Sequence, residues 1–210
     1  MKIIKTVYVL IPLNIFLALK WAPPVRGLGD LSRILFFHVP WAWVSLLAFL
    51  IAALYSLIYL FDKKNKFYSL EKKSYNSAFL GIIFTILTIV SGSCWAKLSW
   101  GSFWNWDPRE TSIVVLLLIY IAYFSLLSSM PDSEKKHKIG AIYLILAIII
   151  APFFMFVIPR IYPSLHPDPI INSKKEIFLD NKIKITLAIS IVSFTFLYFY
   201  LLELINKKKN

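Results

Sequence analysis

A single cysteine, three histidines, six glycines and eleven acidic residues are all that 210 positions carry of these types. Each shortage excludes something. With Cys94 alone, the chain has neither an intrachain disulfide nor a CxxCH attachment site. Charge is scarce as well, at 16% of residues, where soluble domains carry about a quarter. What charge exists leans one way, with 23 Lys or Arg against 11 Asp or Glu and a net charge of +12. In place of charge stand hydrophobic residues, 59% of the chain, for a mean hydropathy of +0.69. A soluble globular domain is excluded on these grounds.

A bilayer-spanning helix needs roughly 20 mostly apolar residues. Six such runs are present, near Ile3–Leu19, Trp41–Phe61, Ala78–Ala96, Ser112–Met130, Ile139–Ile158 and Ile183–Ile205. They use more than half of the chain, which predicts an all-α integral membrane bundle of six transmembrane helices in one domain, 1–210, with no room for a soluble one. The first run follows Lys2 and Lys5 as a signal peptide would, but it lacks a small-residue cleavage site and precedes Pro23-Pro24, so it reads as a span.

Basic residues in short loops set the orientation. One side collects Lys2, Lys5, Lys63, Lys64, Lys66, Lys72, Lys73, Lys135, Lys136, Lys138, Lys207, Lys208 and Lys209, and the other has fewer basic residues in longer loops, including Lys174, Lys175, Lys182 and Lys184. Both termini are therefore expected in the cytoplasm. The net positive charge reads as topology plus attraction to anionic lipid. No basic face exists beyond the loops, so no nucleic-acid partner is expected.

This topology sorts the remaining residue types. All seven tryptophans, Trp21, Trp41, Trp43, Trp95, Trp100, Trp104 and Trp106, fall at the outer side. An aromatic belt is the alternative, but a belt populates both interfaces, and the inner one has Tyr55, Tyr59, Tyr123, Tyr143, Tyr198 and Tyr200 instead. Every arginine is also outside, at Arg26, Arg33, Arg109 and Arg160. Its planar fork suits carboxylates. His137 lies among lysines on the inner side and reads as a solvated side chain.

His38 and His166 lie in the first and last outer loops. Asp30 is a candidate N-cap, and Leu31, Ile34, Leu35 and His38 follow helical spacing. This predicts a short interfacial helix with His38 on its apolar face, with Pro40 in the first turn of the second span. His166 sits in Tyr162-Pro163-Ser164-Leu165-His166-Pro167-Asp168-Pro169, where three prolines favour a stiff, extended loop. For either histidine alone an interfacial hydrogen-bonding role is the default. As a pair beside a tryptophan cluster they are candidate axial ligands for a porphyrin iron.

The most specific signal joins the third and fourth spans: Ser91-Gly92-Ser93-Cys94-Trp95-Ala96-Lys97-Leu98-Ser99-Trp100-Gly101-Ser102-Phe103-Trp104-Asn105-Trp106-Asp107-Pro108-Arg109-Glu110-Thr111-Ser112. Aromatic planes at this density can cover a flat conjugated ligand. Asp107, Pro108 and Glu110 also read as the N-cap, N1 and N3 residues of the fourth span. The run from Trp100 to Asp107, continued by Arg109, Thr111 and Ser112, resembles the tryptophan-rich signature of the haem-handling superfamily of cytochrome c maturation. Arg33-Ile34-Leu35-Phe36-Phe37-His38-Val39-Pro40 is similar to the first-histidine segment of its CcmC branch, the haem exporter protein C type. Leu165-His166 stands where that branch has its second outer histidine.

The resemblance covers the whole six-span plan, and the chain length suits this branch better than the longer synthase branch. It implies a multi-pass protein of the bacterial inner membrane that binds non-covalent, b-type haem at the periplasmic face. His38 and His166 would ligate the iron, Trp100, Trp104 and Trp106 would pack the ring, Arg109 (with Arg33 or Arg160) would meet the propionates, and Asp107 would fix the loop to the fourth helix. The implied partners are a periplasmic haem chaperone, ABC transporter subunits and a small membrane subunit. A holder and presenter of haem is expected rather than a complete enzyme. Three alternatives stand beside it. One is a compact synthase that attaches haem to apocytochrome. Another is a b-type electron-transfer subunit, which wants histidines inside its spans where these six runs have none. The third is a cofactor-free permease or ABC-exporter subunit, which wants polar midplane residues.

Overall fold

The computed structural model describes residues 2–25, 28–61, 68–166 and 180–207. Arg26, Lys63, Lys64, Lys66, Pro167, Asp168, Pro169, Lys174, Lys175, Lys208 and Lys209 therefore lie outside the described residues. The described chain is helical, with no strand among the described residues: α1 (Lys2–Phe16), α2 (Leu35–Phe61), α3 (Tyr68–Trp100), α4 (Pro108–Ser128), α5 (Glu134–Pro152), α6 (Ile158–Ile161) and α7 (Asn181–Lys207). A π-helical turn, Leu17–Trp21, prolongs α1, and another, Phe153–Val157, joins α5 to α6. Six helical stretches among the described residues are long and apolar enough to cross a membrane, as the composition predicts.

The helices outrun the apolar runs that marked them. Helix α3 has 33 residues, which at about 1.5 Å per residue is ~50 Å, well beyond the ~30 Å of a hydrocarbon core. Lys97–Trp100, beyond the expected span, is its last turn. The second span also differs from expectation. A 3-10 turn, Asp30–Ile34, runs without a break into α2, so His38 lies within that helix and Pro40 beyond its first turn. His38 stands in the first turn of α2 at one end of the bundle, outside the apolar run Trp41–Phe61. Gly29, at φ 56°, takes the cap position expected of Asp30, whose carboxylate instead accepts from Arg33 Nε at 2.9 Å. A proline can sit inside a helix when its missing N–H and its ring are accommodated, and it marks the break at Pro152, where α5 gives way to the π turn.

Between apolar helices in lipid there is no hydrophobic drive, so close approach and polar contacts hold the bundle. Ala48, Ala52, Ala78, Ala147 and Ala151 are buried. Ser77 Oγ, on α3, donates to the Ala48 carbonyl of α2 or pairs with Tyr198 Oη of α7, each at 2.7 Å. Ser56 and Ser74 join α2 to α3 at 2.7 Å, and Ser190 of α7 donates to Asn14 of α1. Gly81 admits Phe49, which stacks on Tyr120 at 3.5 Å. Tyr59, Tyr123 and Tyr198, grouped above as interfacial aromatics, are core residues, because these helices turn them inward on the bundle.

Contacts across the bundle define its two ends. His38 with Ser91, and His166 with Asp107, gather the three connections at one end. Asn76 with Asn206 and His137 with Glu71 mark the opposite end. His137 is not solvated. Its side chain is 11% exposed, with Nδ1 3.1 Å from Glu71 Oε1 and Nε2 3.2 Å from Asp132 Oδ1. Its sequence neighbours are lysines, but the fold brings it the start of α3.

Candidate functional site

Asp107 organises the tryptophan end. Its side chain is 1% exposed and uses both oxygens. Oδ1 accepts from the Arg109 backbone N–H at 2.9 Å and faces His166 Nδ1 at 2.8 Å. Oδ2 accepts from the Ser164 hydroxyl at 2.8 Å and from the Leu165 N–H at 2.7 Å. The expected cap is present: Asp107 caps α4, Pro108 opens it, and Glu110 completes a capping box. Glu110 Oε2 also accepts from the Asn105 N–H at 2.8 Å. The cap therefore does a second thing that its local pattern does not reveal, tying the loop before α4 to the loop after α6. Just before it, Trp106 is held at φ 56°, a left-handed conformation that costs a non-glycine residue about 1–3 kcal/mol.

The ionised carboxylate only accepts, so His166 Nδ1 must donate and Nε2 carries the lone pair. Burial works to raise the Asp107 carboxyl, but the Arg109 N–H, the Ser164 hydroxyl, the Leu165 N–H and His166 outweigh it, and the group stays below the usual carboxylate range. For His166 burial lowers the pKa and prevails over the raising effect of Asp107, with Arg109 adding to the lowering. The ring is thus kept neutral, the form that binds a metal.

His38 reaches the same end from α2. Its Nδ1 is 3.0 Å from Ser91 Oγ, with the Thr88 carbonyl beside the ring. The two imidazoles are near enough to interact electrostatically, although 128 positions separate them in the chain. Helix α3 lies along both. Ser91 meets His38, and Trp95, one turn on, stacks on His166 at 5.8 Å and 30°. Trp100 completes the cluster, edge-on to His166 and to Trp95, each at 4.8 Å.

The tertiary structure therefore brings together His38, His166, Trp100, Asp107 and Arg109. It adds Trp95, Ser91 and Ser164, which sequence reasoning did not place in the site. The i, i+4 spacing of Ser91 and Trp95 in the third apolar run is the one signal that links any of them, and it does not say which distant residues that face meets. Trp104 and Trp106 stand apart from the histidines. They pack edge to face at 5.8 Å, and Trp106 lines an apolar cavity of about 510 Å³ with Pro108, Val115, Phe154, Ile158 and Tyr162. Arg33 is engaged by Asp30 and by the Ala18 carbonyl, and Arg160 by the Phe156 carbonyl.

The pair of imidazoles, each with a hydrogen-bond partner at Nδ1 and one of them set against two indole rings, is a donor set suited to a porphyrin iron. Comparison with known proteins points the same way: the family model "Heme exporter protein C" (CcmC) matches residues 1–210. The chain belongs to the CcmC family. It is 32% identical to a ccmC-like mitochondrial protein of cytochrome c biosynthesis from Marchantia polymorpha, over 90% of this chain and 79% of that protein. Two CcmC relatives called heme exporter protein C are more distant. The Bradyrhizobium diazoefficiens protein is 28% identical over 84% of this chain and 66% of its own length. The Haemophilus influenzae protein is 26% identical over 92% and 77%.

Proposed function

We propose that this chain holds haem at the outer, periplasmic face of the bacterial inner membrane and presents it to a periplasmic haem chaperone for cytochrome c biogenesis. His38 and His166 are the axial ligands in this reading. The observation that carries it is the buried Asp107 carboxylate on His166 Nδ1, since carboxylate–histidine pairs are the usual support of a metal-bound imidazole. Trp95 and Trp100 pack beside the ligand. Trp104 and Trp106 lie on the same loop, Trp106 lining the cavity beside α4, and would pack against the bound ring. Arg109, at the start of α4, serves a propionate. When bound, haem supplies the iron; this chain orients two nitrogens toward it, excludes water with indoles and leaves an edge open to a partner. ABC transporter subunits and a small membrane subunit are the other partners expected, with haem bound non-covalently.

The test is the absorption spectrum and pyridine haemochrome of the purified protein. His38→Ala and His166→Ala should each lose most of the haem and change the spectrum of what remains. Unchanged haem content in both would sink the ligand assignment.

A further inference from the structure

Opposite His38, helix α3 presents a serine and a glycine in succession. A Cβ built on Gly92 would lie 2.9 Å from His38 Cε1, 3.5 Å from Nδ1 and 3.9 Å from Nε2. The first distance is closer than real Cβ contacts come, so the ring would have to move. The backbone does not need a glycine there, because Gly92 is helical, without a positive φ. In a helix interior glycine is less stabilising than alanine, and the space for the His38 ring is the local reason to accept that. Gly81 on the same helix provides the contrast. A Cβ there would strike Phe49 at 2.3 Å, a core ring remote from either histidine.

Ser91 meets the ring at Nδ1, beside the Cε1 atom that a Gly92 Cβ would crowd. A serine hydroxyl has one proton, and Ser91 Oγ lies 2.8 Å from the Leu87 carbonyl and 3.1 Å from that of Thr88. With the proton committed to the helix backbone, the oxygen is left to accept from His38 Nδ1 at 3.0 Å, and the Thr88 carbonyl stands beside it as a second acceptor for the ring. His38 Nε2 is then bare, as His166 Nε2 is by virtue of Asp107. We propose that Ser91 and Gly92 are positioning residues for His38: the serine selects the tautomer with a bare Nε2, and the glycine leaves the space in which the ring presents it. This rests on the reading of His38 as an iron ligand.

The experiment is hemin titration into the purified full-length protein, with ferric absorption and EPR spectra and the melting temperature of the unloaded protein. Gly92→Ala should weaken hemin binding about 10- to 100-fold, the usual effect of disturbing a ligand's support, and lower the six-coordinate low-spin signal. Its melting temperature should stay level or rise. Gly81→Ala should do the reverse, lowering the melting temperature while the folded protein keeps its hemin affinity. Ser91→Ala should weaken binding over the same range, and because it adds no atom it decides the question should Gly92→Ala fail to accumulate. Wild-type affinity and spectrum in Gly92→Ala, or in Ser91→Ala when that variant decides, would overturn the positioning role. His38→Ala in the same series separates the two ideas: if it too binds as wild type, the ligand reading falls, whereas a loss confined to His38→Ala removes the positioning role alone.

Discussion

Asp107 shows how one side chain serves two ranges of sequence. Its bond to the Arg109 N–H spans two positions, and its bond to His166 spans 59. The first was legible, since capping depends on neighbours and the Asp-Pro-x-Glu pattern states it. The second was not, because no local preference records which distant loop a carboxylate will meet. Asp107→Asn separates the two roles. Asparagine caps helices about as well as aspartate, so α4 should persist, while the buried donors left without an acceptor should lower stability by about 1–3 kcal/mol. The amide, however, turns one acceptor into a donor, facing either His166 or the Ser164 and Leu165 donors. Hemin affinity should fall about 10- to 100-fold, and a titration matching wild type would show that the His166 contact is not functional. Likewise, Ser164 and the contact of Trp95 with His166 could not be read from the chain, although Trp95 stood among the outer tryptophans, whereas Trp100, Asp107 and Arg109 stood out by their crowding in one segment.

At the scale of elements, apolar runs located the helices but not their ends. Water-exposed helical turns have no hydropathy signature, so α3 continues past Ala96 and carries Trp100, beyond Ser91 and Trp95, to the histidine end. The same reason places His38 in α2 rather than in a separate helix before it. What holds these elements in register lies lower in the bundle, where Ser77 meets both Ala48 of α2 and Tyr198 of α7. Hydrogen bonds of this kind between membrane helices contribute about 0.6–2 kcal/mol. Ser77→Ala should accordingly lower the thermal midpoint in detergent by that amount of stability and leave the ferric haem spectrum of the folded protein as in wild type. A changed spectrum would mean that the packing of α2 against α3 reaches the site.

For the whole molecule, the two ends of the bundle differ in chemistry. One gathers indoles and two imidazoles, and the other gathers lysines with His137 between Glu71 and Asp132. The proposed function requires that the first end face outward, as the lysine bias predicts. In a Cys94→Ser background, Phe103→Cys and Lys135→Cys place single thiols at exposed positions at opposite ends. A membrane-impermeant maleimide applied to the outer side of the inner membrane should label the first and spare the second until the membrane is permeabilised. The opposite pattern would invert the topology and remove the proposed periplasmic site.

The sequence alone determined the class of molecule, the number of spans and the residue types at the site, because these follow from composition, run length and clustering, all properties of short stretches of chain. It also carried the resemblance to the CcmC family, through the tryptophan-rich motif and the two short histidine segments. Only the tertiary structure decided which groups touch. Helix packing and the return of the loop after α6 brought His166 to Asp107 and near His38, set each ring's Nδ1 against a partner, and made Gly92 the space beside His38. Those contacts join residues tens of positions apart, and they depend on how long each helix runs and how closely its neighbours approach, which no local pattern encodes.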